Sequence, residues 1–201
     1  MPSDATSPSA RRTELLEAAY RYALTHGLAE LSLRPLAAAI GSSPRVLLFL
    51  FGSKDGLVRA LLQRARADEL ALLNRLQPPT ASEPSGLAAA GGQVWSWLVA
   101  EEHRPLLRLW TEAYVRSLVE PDGPWGGFAR DTVEDWLAVL ATWQPAQPGH
   151  AEPDATARTL TLAVLRGALL DLLATGDQTR VTNAVTRHFA LLRQDVSEKS
   201  P

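Results

Sequence analysis

The residue types that most often perform catalysis are scattered along this chain of 201 residues. The chain contains no cysteine, which excludes disulfides, thiolate zinc sites and a cysteine nucleophile. The four histidines, at positions 26, 103, 150 and 188, are widely separated, and none stands at metal-ligand spacing from another. Thr25 is the only Ser or Thr directly beside a histidine, and the sequence has no glycine-rich phosphate loop. We therefore expect no enzymatic activity, no metal site and no cofactor.

Positive charge, by contrast, is concentrated in the first third of the chain. Residues 1–66 carry nine basic and five acidic residues, a net charge of +4, whereas the remainder carries 11 basic and 17 acidic residues, a net charge of −6. A positive segment on a negative body is typical of a polyanion-binding domain, because phosphates are attracted by the first and repelled by the second. Chance clustering is the alternative, and the charges alone do not decide between the two.

The composition is that of an ordinary globular protein, with 46% hydrophobic and 21% charged residues. The first twelve residues lack the apolar core of a signal peptide. No apolar run approaches the roughly 18 residues that a membrane span needs. We therefore expect a soluble, cytoplasmic protein with no membrane partner.

Helical periodicity dominates the sequence, and no alternating strand pattern lasts more than a few residues. The pattern predicts an all-α fold of about nine helices, with Ser32, Ser43 and Ser53 as N-caps. Stretches rich in proline and glycine at 78–86 and 144–154 are the clearest breaks. We predict an N-terminal domain over 9–69 and a C-terminal domain over 78–196. The predicted helices span 12–26, 33–40, 44–50, 53–77, 87–102, 104–120, 128–143, 154–175 and 178–194.

Two of these helices are short and are joined by a turn that contains Gly41. Such a pair, flanked by a longer helix on each side, has the arrangement of a helix-turn-helix, here over 32–51. Leu36, Ala37, Ile40 and Leu47 can supply the seam between the two helices. The spacing alone is only moderately specific, since many helical bundles contain short helix pairs.

The residue types within this region are more specific than the spacing. The region reads Ser32-Leu33-Arg34-Pro35-Leu36-Ala37, then Ala39-Ile40-Gly41, Leu47, Phe51, Ser53-Lys54-Asp55 and Leu57. The preceding helix has a basic start at Arg11-Arg12, a core of Leu15-Leu16-Glu17-Ala18-Ala19 and a close at His26-Gly27. Over about the first 69 residues, this pattern resembles the TetR family of bacterial transcriptional repressors.

The resemblance implies a sequence-specific DNA-binding regulator with a three-helix DNA-binding head and a C-terminal ligand-binding and dimerisation domain. Its partners would be a double-stranded, pseudo-palindromic operator, a second copy of the chain, and a small, largely apolar effector that releases the DNA. The second short helix would enter the major groove. The positions that match the family's DNA-facing residues are Arg34, Ser43, Pro44, Arg45, Val46, Leu48, Leu50 and Lys54.

Side-chain chemistry assigns different roles to these positions. Arg45 can bond guanine O6 and N7 together, and Pro44 and Val46 can contact a thymine methyl group. Lys54, at a helix N-terminus, suits a phosphate.

Leu48 and Leu50 depart from the family pattern, in which polar aromatic side chains commonly reach phosphates from these positions. Leucine cannot make such contacts. The alternative hypothesis is therefore a ligand-binding helical module with weakened or lost DNA binding.

All six tryptophans lie after residue 94. Each can be a core residue, and together they can also form the wall of a cavity for a flat ligand. The pair Gly91-Gly92 inside a helical stretch indicates close packing, a bend near the pocket or a later helix start. Our predicted pocket residues are Trp95, Leu98, Trp110, Tyr114 and Trp136.

The segment Thr159–Leu173 is apolar on nearly every face, so more than one side of it must be covered. In the resembled family the last two helices form a four-helix bundle with those of a second subunit. A central core helix is the competing interpretation. The predicted interface residues are Leu162, Leu165, Leu169, Leu172 and Phe189.

Overall fold

The structure, a computed structural model, describes residues 8–73, 75, 86–144 and 155–198. These residues form nine α-helices and a short 3-10 helix at Glu101–His103, which confirms the predicted all-α class. The predicted helix end at 77 and most of the two proline-rich stretches lie outside the described residues. The helices are α1 (Pro8–His26), α2 (Leu33–Ala39), α3 (Pro44–Phe51), α4 (Lys54–Leu73), α5 (Leu87–Leu98), α6 (Arg104–Val119), α7 (Phe128–Thr142), α8 (Ala155–Thr175) and α9 (Gln178–Glu198).

α2, α3 and α4 each begin directly after the serine predicted as the N-cap, and two of the three serines make a capping hydrogen bond. The Ser43 Oγ accepts the backbone N–H of Val46 at 3.3 Å, and the Ser53 Oγ accepts that of Gly56 at 2.9 Å. Ser32 occupies the predicted N-cap position of α2, and its side chain makes no capping hydrogen bond. The cap at Ser43 and the proline at the next position give α3 a well-defined start.

The described helices fall into two compact units. The head unit comprises the residues up to Glu69 together with Pro105–Asp131, and the body unit comprises Leu70–Arg104 together with the residues from Thr132 onward. The sequence prediction placed all of 78–196 in one C-terminal domain. By its contacts, most of α6 packs with the N-terminal helices instead.

The core of the head unit is built from leucines of α1 to α4. Leu15, Leu36, Leu47, Leu57 and Leu61 are fully buried, at no more than 1% exposure. Burial of a leucine side chain contributes about 1.5–3 kcal/mol, so these residues dominate the packing of the head.

A polar cluster fastens α1 to α4 beside that core. The Arg64 guanidinium pairs with Glu17 of α1 at 2.5 Å and with Asp68, and it lies 4.9 Å from the centroid of the Tyr20 ring. The buried Tyr20 donates its O–H to Asp68 at 2.9 Å. Burial and this hydrogen bond raise the pKa of Tyr20 far above its usual range, so the phenol stays neutral.

In the body unit, α5, α8 and α9 pack against one another. The Trp95 indole N–H donates to the Thr182 Oγ1 at 3.1 Å, which joins α5 to α9. A Cβ added at Gly91 would lie 2.1 Å from the Cζ of Phe189. Because α5 already begins at Leu87, a later helix start is excluded, and close packing explains the glycine.

No single helix in the described ranges is long and apolar enough to cross a membrane. The α2–α3 pair meets that test of length and composition only when its two helices are taken together, and the two are bent by 103°.

Candidate nucleic-acid interface

The α2–α3 pair has the geometry of a helix-turn-helix. The two helices lie at 103° to each other and are joined by residues 40–43, in which Gly41 has a φ of 63°. The N–H of Ser42 donates to the carbonyl of Ala37 at 2.8 Å, which fixes the path of the turn. Helix-turn-helix units cross at about 90–120° through a turn of three or four residues, so the predicted motif is present.

One face of α3 holds the helix to the head. Leu47 and Phe51 are buried, and Leu36 and Ala37 of α2 are buried with them. Leu50 is half-buried, and its carbonyl accepts the Nε–H of Arg12 at 3.4 Å. The Arg12 guanidinium also lies 5.0 Å from the centroid of the Phe51 ring. The packing of Leu47 and Phe51 therefore holds α3 to the head, and Arg12 adds contacts at the C-terminal end of the helix.

The opposite side of α3 is free of such packing. Arg45 is exposed, and Val46, Leu48 and Phe49 are exposed by 37%, 41% and 81%. At 3.6 residues per turn, Phe49 lies opposite the buried pair Leu47 and Phe51. Arg45 and Val46 precede Phe49 by four and three residues, so the three side chains share one surface. We call this surface, formed by Arg45, Val46 and Phe49, the outward face of α3.

Phe49 was missed by the sequence analysis. The resemblance directed attention to Leu48 and Leu50, whose residue types depart from the family pattern. The signal was nevertheless present, because the apolar spacing of Leu47 and Phe51 already defines the inward side of the helix.

Exposed cations lie near the start of α3 and near the starts of the helices before and after it. Arg34 lies in the first turn of α2, Arg45 in the first turn of α3 and Lys54 at the first position of α4. All three are exposed, and within the described part of the chain they form no ion pair. Arg11, in contrast, is paired with Glu14 at 2.7 Å. The charges of Arg34, Arg45 and Lys54 are therefore available to phosphate or to base edges.

Of the remaining DNA-facing candidates, Ser43 and Leu48 are exposed, and Pro44 and Leu50 are half-buried. Ser43 uses its Oγ as the acceptor of the α3 cap, which leaves its O–H free to donate. Pro44 is half-buried at the first position of the helix. Leu48 and Leu50 present only apolar atoms. Contact of all eight predicted residues with DNA stays a prediction.

The predicted ligand-pocket residues belong to both units. Trp95, Leu98 and Trp136 are buried residues of the body unit. Trp110, buried, and Tyr114, half-buried, lie on α6 and belong to the head unit. The pocket stays a prediction.

A separate surface depression of about 530 Å³ lies in the head unit between α1 and α2. It is lined by Glu14, Leu15, Ala18, Arg21, Tyr22, Ala39 and Ile40. None of these residues belongs to the predicted pocket.

The predicted dimer residues lie mostly inside the subunit. Leu162, Leu165 and Leu172 of α8 and Phe189 of α9 are buried, and Leu169 is half-buried. Burial within one subunit leaves the first four little surface to offer a second copy. An exposed stripe of small and apolar residues follows a different spacing along α8, namely Leu160, Ala163, Gly167, Leu170 and Ala174.

Comparisons with known proteins agree with this geometry. Residues 15–61 match the family described as bacterial regulatory proteins, tetR family. The solved structure of the multidrug binding protein EbrR complexed with imidazole is similar to the chain, with 28% identity, 88% of both chains covered and a TM-score of 0.64. EbrR complexed with ethidium has 26% identity over 88% of this chain and 97% of that chain, with a TM-score of 0.64. A search of the curated proteins found no match.

A third solved structure supports the fold alone. It is a transcriptional regulator from Rhodococcus sp. Rha1, with 22% identity, 94% of this chain and 97% of that chain covered, and a TM-score of 0.72. Its agreement extends over the C-terminal helices, where the sequence pattern is least specific.

Proposed function

The chain belongs to the TetR family of bacterial DNA-binding transcriptional regulators, and from this premise we propose that it is a homodimeric repressor released from a pseudo-palindromic operator by a small, largely apolar ligand. The observation that carries the proposal is the α2–α3 pair at 103°, with exposed Arg34, Arg45 and Lys54 free of ion pairs among the described residues. Regulators of this family act by binding DNA, so the chain is not an enzyme.

In the proposed complex, α3 lies in the major groove. Arg45 on its outward face bonds a guanine through O6 and N7. Lys54 binds a backbone phosphate at the N-terminus of α4, where free backbone N–H groups and the helix dipole also favour an anion. Arg34, at the start of α2, binds a second phosphate. Arg45 would then determine the sequence specificity, because it contacts a base. Lys54 and Arg34 would contribute affinity without specificity, because they contact phosphates.

The dimer of this proposal uses the exposed stripe of α8. Leu160, Ala163, Gly167, Leu170 and Ala174 follow one another at alternating intervals of three and four residues, which is the spacing of a helix–helix seam. Small residues at the middle of the stripe allow two helices to approach closely. This stripe also accounts for the all-round apolar character of α8, because its opposite side packs inside the body unit. It replaces the buried leucines as the interface that we propose.

The compounds bound in the EbrR structures indicate which class of effector to test. That protein was solved with imidazole, proflavin and ethidium, and the last two are planar aromatic molecules. A planar aromatic effector matches the tryptophans among the residues that we predict to bind the ligand. We expect proflavin to quench the tryptophan fluorescence of the DNA-free protein in a saturable manner, and Tyr114→Ala to weaken this binding.

Release of DNA requires that helix movement reach the head. We propose that the ligand displaces α5 and α6 and that α4 helps to carry the movement to the DNA-binding helices. Support comes from Glu112 of α6, whose carboxylate accepts the N–H of Leu28 at 2.9 Å, in the segment that joins α1 to α2. By linkage, ligand and operator must weaken each other's binding by the same factor.

Proflavin and ethidium also intercalate into DNA, so a fall in operator binding on their addition is ambiguous. The Tyr114→Ala variant provides the control, since intercalation would release it and the unchanged protein alike. Release of the unchanged protein at a proflavin concentration that leaves the variant bound would support the proposal. Equal release of both would contradict it for this ligand.

The first experiment is selection of the full-length protein on random duplex DNA at two salt concentrations. We expect an enriched pseudo-palindrome whose log K falls linearly with log salt. Absence of any enriched sequence would favour the alternative of a ligand-binding module without DNA binding. The observation that favours this alternative is the exposed side chain of Leu48, which has no polar atom with which to contact a phosphate.

A further inference from the structure

Phe49 is the most exposed large hydrophobic side chain among the described residues, at 81%. Its ring cannot turn inward, because Leu47 and Phe51 hold the other side of α3 in the head core. A single exposed apolar side chain needs no explanation, whereas adjoining exposed apolar groups rimmed by polar residues mark an interaction site. Val46 adjoins it one helical turn earlier.

The partner of this ring must also accommodate a cation. Arg45 lies one turn before Phe49 on the same outward face, and within the described chain it forms no ion pair. Exposed Arg34 and Lys54 flank α3 in the sequence, and residues 1–66 carry a net charge of +4. The same face of a second copy would bring like charges together, whereas a polyanion would be attracted. The charge pattern therefore selects nucleic acid as the occupant.

Within the major groove, one group matches an exposed phenyl ring. The C5-methyl of thymine is the apolar group that base edges present there, whereas the other major-groove positions are hydrogen-bond donors or acceptors. Phe49 has no polar atom with which to read a donor or an acceptor. Arg45 on the same face has the opposite character.

We propose that Phe49 is a specificity-determining residue that recognises the 5-methyl group of a thymine in each operator half-site, close to the base that Arg45 contacts. The inference rests on the proposed function, in that it assumes an operator bound through α3. It adds a chemical requirement on the operator, namely a thymine at a fixed offset from the Arg45 contact.

The test replaces each thymine of the selected operator in turn by deoxyuracil, which removes the methyl group and keeps the hydrogen-bonding edge. Affinity is measured by fluorescence anisotropy for the unchanged protein, Phe49→Ala and Leu118→Ala. Leu118 is a matched control, because it is a hydrophobic residue of α6 that is 63% exposed and lies outside α3. Circular dichroism confirms that each variant is folded.

For the unchanged protein, uracil in place of the thymine that Phe49 contacts in one half-site should weaken binding about fourfold. This factor corresponds to the free energy of burying one methyl group. Phe49→Ala should bind the thymine operator more weakly and should lose its response to uracil at that position alone. Leu118→Ala should behave like the unchanged protein. Phe49→Leu, which keeps an apolar side chain, should retain part of the response.

The outcomes separate the inference from the proposed function. If Phe49→Ala and the unchanged protein respond equally to uracil at every position, thymine recognition by Phe49 is wrong although operator binding stands. The same holds if Phe49→Ala weakens binding with no uracil response in either protein, which would indicate a ring wedged between base steps. Failure of the unchanged protein to bind any duplex would overturn both.

Discussion

Glu112 of α6 accepts the backbone N–H of Leu28 with both carboxylate oxygens, at 2.9 and 3.2 Å. The residue before Leu28 is Gly27, at which an added Cβ would lie 3.0 Å from the Glu112 Oε2. The Glu112 carboxylate therefore binds the backbone just after the end of α1, where the chain turns towards α2. A side chain of α6 is thereby joined to the DNA-binding part of the head.

Loss of the Glu112 carboxylate should destabilise the head. Glu112→Ala leaves the N–H of the buried Leu28 without its partner, which costs about 1–2 kcal/mol of unfolding free energy. Glu112→Gln keeps one acceptor and should cost less. Urea denaturation of the two variants measures the difference, and equal stability of both with the unchanged protein would show that this contact contributes nothing.

Arg45 and Lys54 should affect DNA binding in different ways. Arg45→Ala should cost about 1–3 kcal/mol and relax the preference for one base pair in each half-site, because it removes a base contact. Lys54→Ala should weaken all sequences alike and reduce the salt slope by about one, because it removes a phosphate contact. Binding titrations on the selected operator and on single-base variants distinguish the two. A base-selective effect of Lys54→Ala would contradict its assignment.

The neighbouring glycines of α5 should respond in opposite directions to alanine. Gly91→Ala places a Cβ 2.1 Å from the Phe189 ring, and such overpacking costs about 1–3 kcal/mol. Gly92 is exposed and has no atom within 4 Å of an added Cβ, so Gly92→Ala should stabilise the helix by up to about 1 kcal/mol. Thermal and urea unfolding test both. A gain of stability for Gly91→Ala would show that the ring moves aside at no cost.

A charge on the α8 stripe should disrupt the dimer. Leu170 is 52% exposed, and Leu170→Glu would place an unpaired carboxylate in the proposed interface, raising the dimer Kd by at least about tenfold. Leu118→Glu introduces the same charge on α6 and should leave the dimer intact. Sedimentation velocity at several concentrations measures both. Dimerisation of Leu170→Glu with unchanged affinity would exclude this stripe.

The stability of the head should fall at alkaline pH because of Tyr20. Its pKa is raised in the folded protein, so above about pH 10, where an unfolded tyrosine ionises, the unfolded chain loses a proton that the folded chain keeps. The contribution of the neutral phenol is complete below that pH and is lost as the pH rises. Tyr20→Phe cannot ionise, so its unfolding free energy should decline less between about pH 9 and 11. Parallel declines in the two proteins would contradict this explanation.

The helices were predicted well from sequence because their ends are marked locally. Gly27 and Gly52 adopt positive φ where α1 and α3 end, and the Ser43 side chain caps the start of α3. The helix-turn-helix followed from the same local signals and from residue types that match a known family. Local pattern was sufficient where a helix end depends on one or two side chains.

Relationships over long sequence separations could not be predicted in this way. Glu112 and Leu28 are 84 residues apart, and no local pattern pairs them. The contact of Gly91 with Phe189 decided between explanations that the sequence left open. Because α8 is apolar on nearly every side, its pattern also gave no means of telling the buried leucines from exposed Leu160 and Leu170.

Folding and recognition are encoded by different side chains of the same short helix. Leu47 and Phe51 attach α3 to the head, while Arg45, Val46 and Phe49 point away from it. Substitutions at Arg45, Val46 or Phe49 should therefore change the surface that α3 presents to DNA without altering the contacts that attach it to the head. A library randomised at 45, 46 and 49 would therefore sample new DNA preferences on one unchanged scaffold, a starting point for a set of mutually independent gene switches.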